Sequence, residues 1–175
     1  MSPTEGGSDH PKTNKTESGS KPKAQDPKKG RVYAITQQDA NTSNVVVTGI
    51  IPVSTTYAYA LFNPGATHSF ISSNFAKKRN FKFEPMESKL YVDTLAGGVV
   101  VTNSVCKSCV VKIADRELLA DLTLLEMRDF DIIIGLDWLA AHYAIVDCHR
   151  KEVVFQVPSE IEFCYLDIFQ EGGGA

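Results

Sequence analysis

Residues 57–72, with the sequence YAYALFNPGATHSFIS, place the strongest constraint on the fold. The first six, residues 57–62, put apolar side chains on both faces in alternation and therefore predict a strand. The next three, Asn63, Pro64 and Gly65, form a turn signal. Because glycine permits a close approach of the backbone, the stretch predicts a strand followed by an elbow that presents one polar side chain, Asn63, in a cleft.

Residues 61–72, LFNPGATHSFIS, resemble the active-site loop of retropepsin-type aspartic proteases, specifically those encoded by gypsy-type retrotransposons of plants. In that family the loop holds an aspartate, a small residue, glycine and alanine, and threonine, histidine, serine and phenylalanine commonly follow in the plant elements. The resemblance implies an active-site loop made of Asn63, Pro64, Gly65, Ala66 and Thr67. Asn63 stands at the position of the family's catalytic aspartate.

The asparagine changes the expected chemistry. Aspartic proteases use two carboxylates that share one proton, since two like charges so close together cannot both ionise. An asparagine amide can form hydrogen bonds, but it neither accepts nor releases a proton near neutral pH. Retropepsins are homodimers with one loop per subunit, so Asn63 would remove both carboxylates. We therefore expect the chain as written to be inactive.

A second motif lies at residues 130–139, FDIIIGLDWL. The β-branched run that ends in glycine predicts a buried strand, a close backbone approach and a helix. It resembles the segment that precedes the C-terminal helix of retropepsins, which implies that Ile133, Ile134 and Gly135 support the site. Asp137 is a candidate for the missing carboxylate, but acidic residues are common where helices begin, and we predict a structural role for it.

Residues 89–101 predict a hairpin with a Gly-Gly turn. From the residues alone this is an ordinary surface hairpin. The resemblance implies instead the flap that closes over a bound peptide, and its substrate-facing residues would be Thr94, Leu95, Ala96, Gly97 and Gly98.

The remaining patterns complete a mostly β chain. We predict a helix over residues 69–80, a strand over residues 45–51 that Pro52 closes, and further strands over residues 105–113, 118–125, 144–147 and 152–157. With the resemblance, the predicted fold is a closed retropepsin-like, or acid protease, β-barrel with two short helices and a flap hairpin. The predicted domains are a disordered basic linker at residues 1–34, the protease domain at residues 35–157, and a tail of unknown structure at residues 158–175.

Charge and hydropathy limit the partners. The chain of 175 residues has a net charge of −3, of which residues 1–31 contribute +3 and the remainder −6. Residues 1–31 lack aromatic side chains for base stacking, so we expect a solvated linker and no nucleic-acid partner. No apolar run suits a membrane span, and no signal peptide is evident. We expect an intracellular, cytoplasmic protein, in a virus-like particle if the retrotransposon setting holds.

Cys106 and Cys109 have a spacing found in zinc and redox sites. The pair begins an apolar alternating stretch, and the other two cysteines, Cys148 and Cys164, form no second close pair. We therefore predict reduced thiols, no metal and no cofactor.

Two functions remain open from the sequence. One is an aspartic endopeptidase domain of a retrotransposon Gag-Pol polyprotein, which would cleave extended segments of a peptide or polyprotein substrate. The other is a catalytically silent module that retains the peptide groove or the dimer surface. A homodimer is expected in both cases, and it should be weak because Pro64 lacks the hydroxyl group that could join the two loops.

Overall fold

Alternating and continuous apolar runs build most of the chain into β-strands. The structure is a computed structural model that describes residues 28–31, 46–94 and 98–167. Its strands are β1 Lys28–Arg31, β2 Val47–Val53, β3 Thr56–Phe62, β4 Phe70–Ser72, β5 Glu84–Thr94, β6 Gly98–Ile113, β7 Arg116–Leu125, β8 Ile132–Ile134, β9 Ala144–Asp147, β10 Glu152–Phe155 and β11 Phe163–Leu166. Its helices are α1 Ser73–Lys78 and α2 Leu136–Ala141.

The larger sheet closes into a ring. Its strands follow the order β6, β2, β3, β8, β4 and β7, and β7 pairs again with β6. Every strand of the ring therefore has a neighbour on both sides, although β2 and β6 share only the pair Val53–Val111. The prediction of a mostly β, closed, retropepsin-like barrel with two short helices is confirmed. Strands β9, β10 and β11 form a separate antiparallel sheet.

Strand β3 separates two apolar clusters. Phe62 belongs to a cluster that also contains Ile71 and Trp138. The next residue back, Leu61, belongs to a second cluster with Ala66 and others. Both faces of this end of β3 are therefore buried, as the sequence predicts, and Asn63 follows directly after it.

Two local predictions were wrong. Residues 70–72, predicted as helix, form β4, which lies between β7 and β8. The chance to pair on both edges overrides the helical pattern, and α1 begins only after Ser72, whose Oγ accepts a hydrogen bond from Phe75 N at 3.4 Å. Pro52 does not end β2, which continues to Val53. The backbone tolerates this proline because β2 pairs with β6 only at Val53.

The ordered chain extends beyond both predicted ends of the domain. Lys28–Arg31 form β1, which runs parallel to β5, so the predicted disordered linker is wrong for these four residues. Residues 1–27 and 32–34 lie outside the described part. At the other end, residues 158–175 were predicted as a tail of unknown structure, but they contain β11, which pairs with β10. None of the helices in the described ranges is long and apolar enough to cross a membrane.

Aromatic contacts hold β11 in place. Phe163 stacks on Phe155 with 4.7 Å between ring centroids, and the Arg116 guanidinium lies 4.4 Å above the Phe163 ring. Tyr165 packs on Phe62 at 5.3 Å, and burial raises the pKa of the Tyr165 hydroxyl. Residues beyond 157 thus form part of the folded domain.

The contribution of β11 can be measured by Phe163→Ala. Loss of the stacked, half-buried ring should lower the free energy of unfolding by about 2–3 kcal/mol. Ile161→Ala is the matched control, since Ile161 is 85% exposed and its truncation should change stability by less than about 0.5 kcal/mol. Equal midpoints for the two variants in urea would contradict a structural role for β11.

Candidate active site

The parallel pairing of β3 with β8 delivers Asn63 to its position. Phe62 is in register with Ile134, and Asn63 N donates a hydrogen bond to Ile134 O at 2.9 Å. Ala66 N then donates to Asn63 O at 3.0 Å, which closes a tight turn. Gly65 N donates to Asn63 Oδ1 at 2.9 Å. Because an N–H group needs an oxygen acceptor, this contact fixes the orientation of the amide.

The Asn63 side chain is buried, and only one of its two polar groups has a hydrogen-bond partner. The residue is only 2% exposed. Its Nδ2 group is the one buried side-chain nitrogen or oxygen that lacks a hydrogen-bond partner in the part of the chain that the structure describes. Leaving such a donor unpaired costs about 1–3 kcal/mol. The site therefore holds one buried donor whose hydrogen-bonding capacity is unmet.

The other loop residues divide between surface and core. Pro64, Gly65 and Thr67 are exposed, while Ala66 is fully buried. Ala66 O accepts a hydrogen bond from Leu136 N at 2.7 Å. The backbone of Ala66 thus attaches the loop to the start of α2. The exposed loop residues can contact a ligand or another chain.

Ser69 connects the loop to the second motif. Its Oγ donates to Asp137 Oδ1 at 2.7 Å and accepts from Gly135 N at 2.9 Å. Asp137 also accepts from Ser69 N at 3.3 Å and from Trp138 N at 2.8 Å. Sequence reasoning placed Ser69 in a helix and missed this role. The sequence signal for this contact was a hydroxyl residue, Ser69, in the first motif and a carboxylate, Asp137, two residues after the glycine of the second motif.

The residues predicted to support the site lie directly beneath it. Ile134 is fully buried and Ile133 is 3% exposed. A Cβ on Gly135 would overlap His68 O and would lie 2.8 Å from Ala66 O. These neighbours are backbone atoms, so only glycine fits here. Ile133, Ile134 and Gly135 thus lie next to the loop, and their role in supporting a catalytic or binding site stays a prediction.

The predicted flap is the hairpin of β5 and β6. Thr94 pairs with Gly98, and Thr94 Oγ1 donates to Gly98 O at 3.2 Å. Leu95, Ala96 and Gly97 lie outside the described residues. Val99, Val100 and Val101 are 58%, 40% and 49% exposed, so the first part of β6 leaves apolar side chains open to solvent.

Comparison with known proteins identifies the lineage of this arrangement. The model of the retroviral aspartyl protease family matches residues 27–160. The chain belongs to that family. A solved structure of the retroviral protease-like domain of Ddi1 from Leishmania major is similar, at 16% identity and a TM-score of 0.47 over 63% of this chain and 86% of that chain. No curated protein matches.

The sequence predicts the family's catalytic aspartate at position 63, where this chain has asparagine. The carboxylates near the loop are occupied: Asp137 binds Ser69, and Asp131 Oδ2 accepts from Tyr59 N at 2.8 Å. Each therefore has a structural role, as predicted for Asp137. Asn63 can donate and accept hydrogen bonds, but it cannot move a proton.

The cysteine pair lies apart from this site, on β6. Cys106 Sγ and Cys109 Sγ are 2.9 Å apart, and both residues are buried. Burial, with the neighbouring thiol, raises the pKa of Cys109. Among the described residues, no group of three or more histidine, cysteine or acidic side chains is placed to hold a metal ion.

The close approach at Gly135 gives a sharp test of the site's construction. Gly135→Ala should cost about 3 kcal/mol or more of unfolding free energy, because the backbone of the loop must move to admit the methyl group. Gly98→Ala is the control, since a Cβ there has nothing within 4 Å. Chemical denaturation of both variants measures the difference. Similar stabilities would mean that Gly135 does not support the loop.

Proposed function

We propose that this domain is a retropepsin-type protease domain of a plant retrotransposon Gag-Pol polyprotein whose present site binds extended peptide without cleaving it. The family match supports the protease lineage. The loop of residues 61–72 supports the plant-retrotransposon origin, and it would place the domain in a cytoplasmic virus-like particle. The observation that carries the binding role is the buried, unpartnered Nδ2 of Asn63.

The Asn63 amide suits binding and not hydrolysis. Its Oδ1 is held by Gly65 N, which leaves Nδ2 as the free donor for a peptide carbonyl oxygen. In an aspartic protease, the protonated carboxyl group polarises that carbonyl while its ionised partner takes a proton from water. Asn63 can supply the hydrogen bond, but it leaves water without a base.

Assembly into a homodimer would complete the site. One chain contributes one loop, and Pro64 and Gly65 at its tip are exposed, so a second copy could bring its own loop against them. Pro64 offers neither an N–H group nor a hydroxyl group across such an interface. The loops would therefore meet by packing alone.

The catalytic reading of Asn63 is tested by Asn63→Asp. The variant should gain cleavage of a long unstructured substrate by at least about 10²-fold over the wild type, in line with the contribution of positioned acid–base groups. The paired carboxylates should titrate as a coupled dyad, so activity should appear in mildly acidic buffer and fall as the pH rises through the upper apparent pKa. A pepstatin-like transition-state mimic should block it.

Asp137→Asn in the Asn63→Asp background is the control for the other carboxylate. Its oxygen can still accept from Ser69, so the activity gained through Asn63→Asp should persist. Pepstatin-sensitive cleavage by the wild type would place the chemistry away from position 63. No cleavage by a folded, dimeric Asn63→Asp variant would leave the domain a binding module only.

The strength of the dimer is a separate prediction. We expect a dissociation constant above about 1 µM, because the loops lack a hydrogen-bonding group at Pro64. Sedimentation over a range of concentrations measures it, and Pro64→Ser should tighten the dimer. A wild-type dimer that persists at roughly nanomolar concentration would contradict this expectation.

A further inference from the structure

Strand β1 occupies the edge of β5 that faces away from β6. Lys28–Arg31 run parallel to β5, with Lys28 in register with Leu90 and Arg31 with Asp93. The other edge of β5 is already paired with β6. The hairpin that forms the predicted flap is therefore extended by a strand from the chain's own N-terminal region.

Gly30 shows how closely β1 is seated. It is buried, and a Cβ at this position would lie 3.1 Å from His68 Nδ1 and 3.2 Å from Leu90 Cδ1. His68 directly follows the loop residues 63–67, and Leu90 is a fully buried residue of β5. Residue 30 thus lies between the hairpin and the end of the active-site loop, where even a methyl group would require the His68 or Leu90 side chain to shift by a few tenths of an ångström.

We propose that residues 28–31 act as an internal competitor for the peptide site. This inference rests on the proposed function, in which an extended peptide binds between the hairpin and the Asn63 loop. Addition of a strand to a sheet edge is a general way of binding extended peptides. One edge can hydrogen-bond to only one strand, so a peptide that adds to this part of β5 must displace β1.

The same contacts define the class of peptide that fits. It is an extended segment with glycine at the position that faces His68 and Leu90. A larger residue there would require the imidazole ring and a buried leucine to move, which is costly in a packed site. The chain's own segment, Lys-Lys-Gly-Arg, meets that requirement.

A covalently attached competitor weakens binding of added peptide in a calculable way. The apparent affinity falls by the fraction of molecules in which the edge is open. A tethered segment competes at an effective concentration on the order of millimolar. At an effective concentration of about 1 mM and a dissociation constant of about 0.1 mM for the segment, release of β1 should raise the affinity for an added peptide about tenfold.

The test uses the full chain and a fluorescent peptide with the sequence of residues 26–33, DPKKGRVY. Gly30→Val in the protein should displace β1, raise the affinity for this peptide about tenfold, and expose the β1-facing amides of residues 90–93 to hydrogen exchange. Added peptide should restore their protection. The peptide carrying valine in place of glycine should bind neither protein. Gly19→Val, in the same N-terminal region but outside β1, is the matched control and should leave both measurements unchanged.

Each outcome decides the proposal. If Gly30→Val lowers the melting temperature too far for use, Gly30→Ala gives the same comparison with a smaller displacement. Unchanged protection in folded Gly30→Val, whose branched side chain does not fit beside His68 and Leu90, would show that β1 is not the partner of β5. Lost protection without tighter peptide binding would show that the edge opens but is no peptide site. Neither result depends on cleavage by Asn63→Asp, so failure here is distinct from failure of the proposed function.

Discussion

The backbone contact between Gly135 and the segment from Ala66 to His68 is the constraint on which the site depends. Without a side chain, Gly135 lets β8 and the start of α2 pass directly under the loop. That approach brings Leu136 N to Ala66 O and Gly135 N to Ser69 Oγ. These bonds fix the loop backbone, and the loop backbone in turn fixes the direction of the Asn63 side chain. A buried hydrogen bond is worth only about 1 kcal/mol net, but each of these would leave an unsatisfied group if the approach were lost.

The scaffold of the site is independent of the group that performs the chemistry. Asn63 has nearly the shape of aspartate, so Gly65 N finds its acceptor and the turn closes as it would around a carboxylate. What asparagine cannot supply is a titrating oxygen. Its Nδ2 is an unpaired donor, and in the proposed function it stands where a protease would share a proton. A family match therefore establishes the lineage of this chain, while the side chain at position 63 determines what the site can do.

Sequence reasoning succeeded where one pattern had one physical solution. The two-faced apolar run before Asn63 and the β-branched run before Gly135 both became buried strands. It failed where a distant partner decided the outcome. Phe70 to Ser72 read as helix, but β7 and β8 offered hydrogen bonds on both edges. The Ser69–Asp137 bond joins residues 68 positions apart, and neither motif shows it alone. Residues 28–31 lack the apolar pattern of a strand, and their order depends on the edge of β5.

The two terminal strands are held to the domain by different interactions. β11 is held by side chains: Phe163 and Tyr165 pack on aromatic residues of the barrel and of its second sheet. β1 is held by backbone pairing to β5, with a glycine at its closest contact. Buried apolar side chains keep β11 in place because exposing their apolar surface to water costs free energy. Backbone pairing at an edge can be replaced by any strand of suitable shape. A strand held by its side chains therefore packs against Phe62, just before the Asn63 loop, whereas the strand on the hairpin is held by backbone pairing, and this is the strand that the proposed peptide would replace.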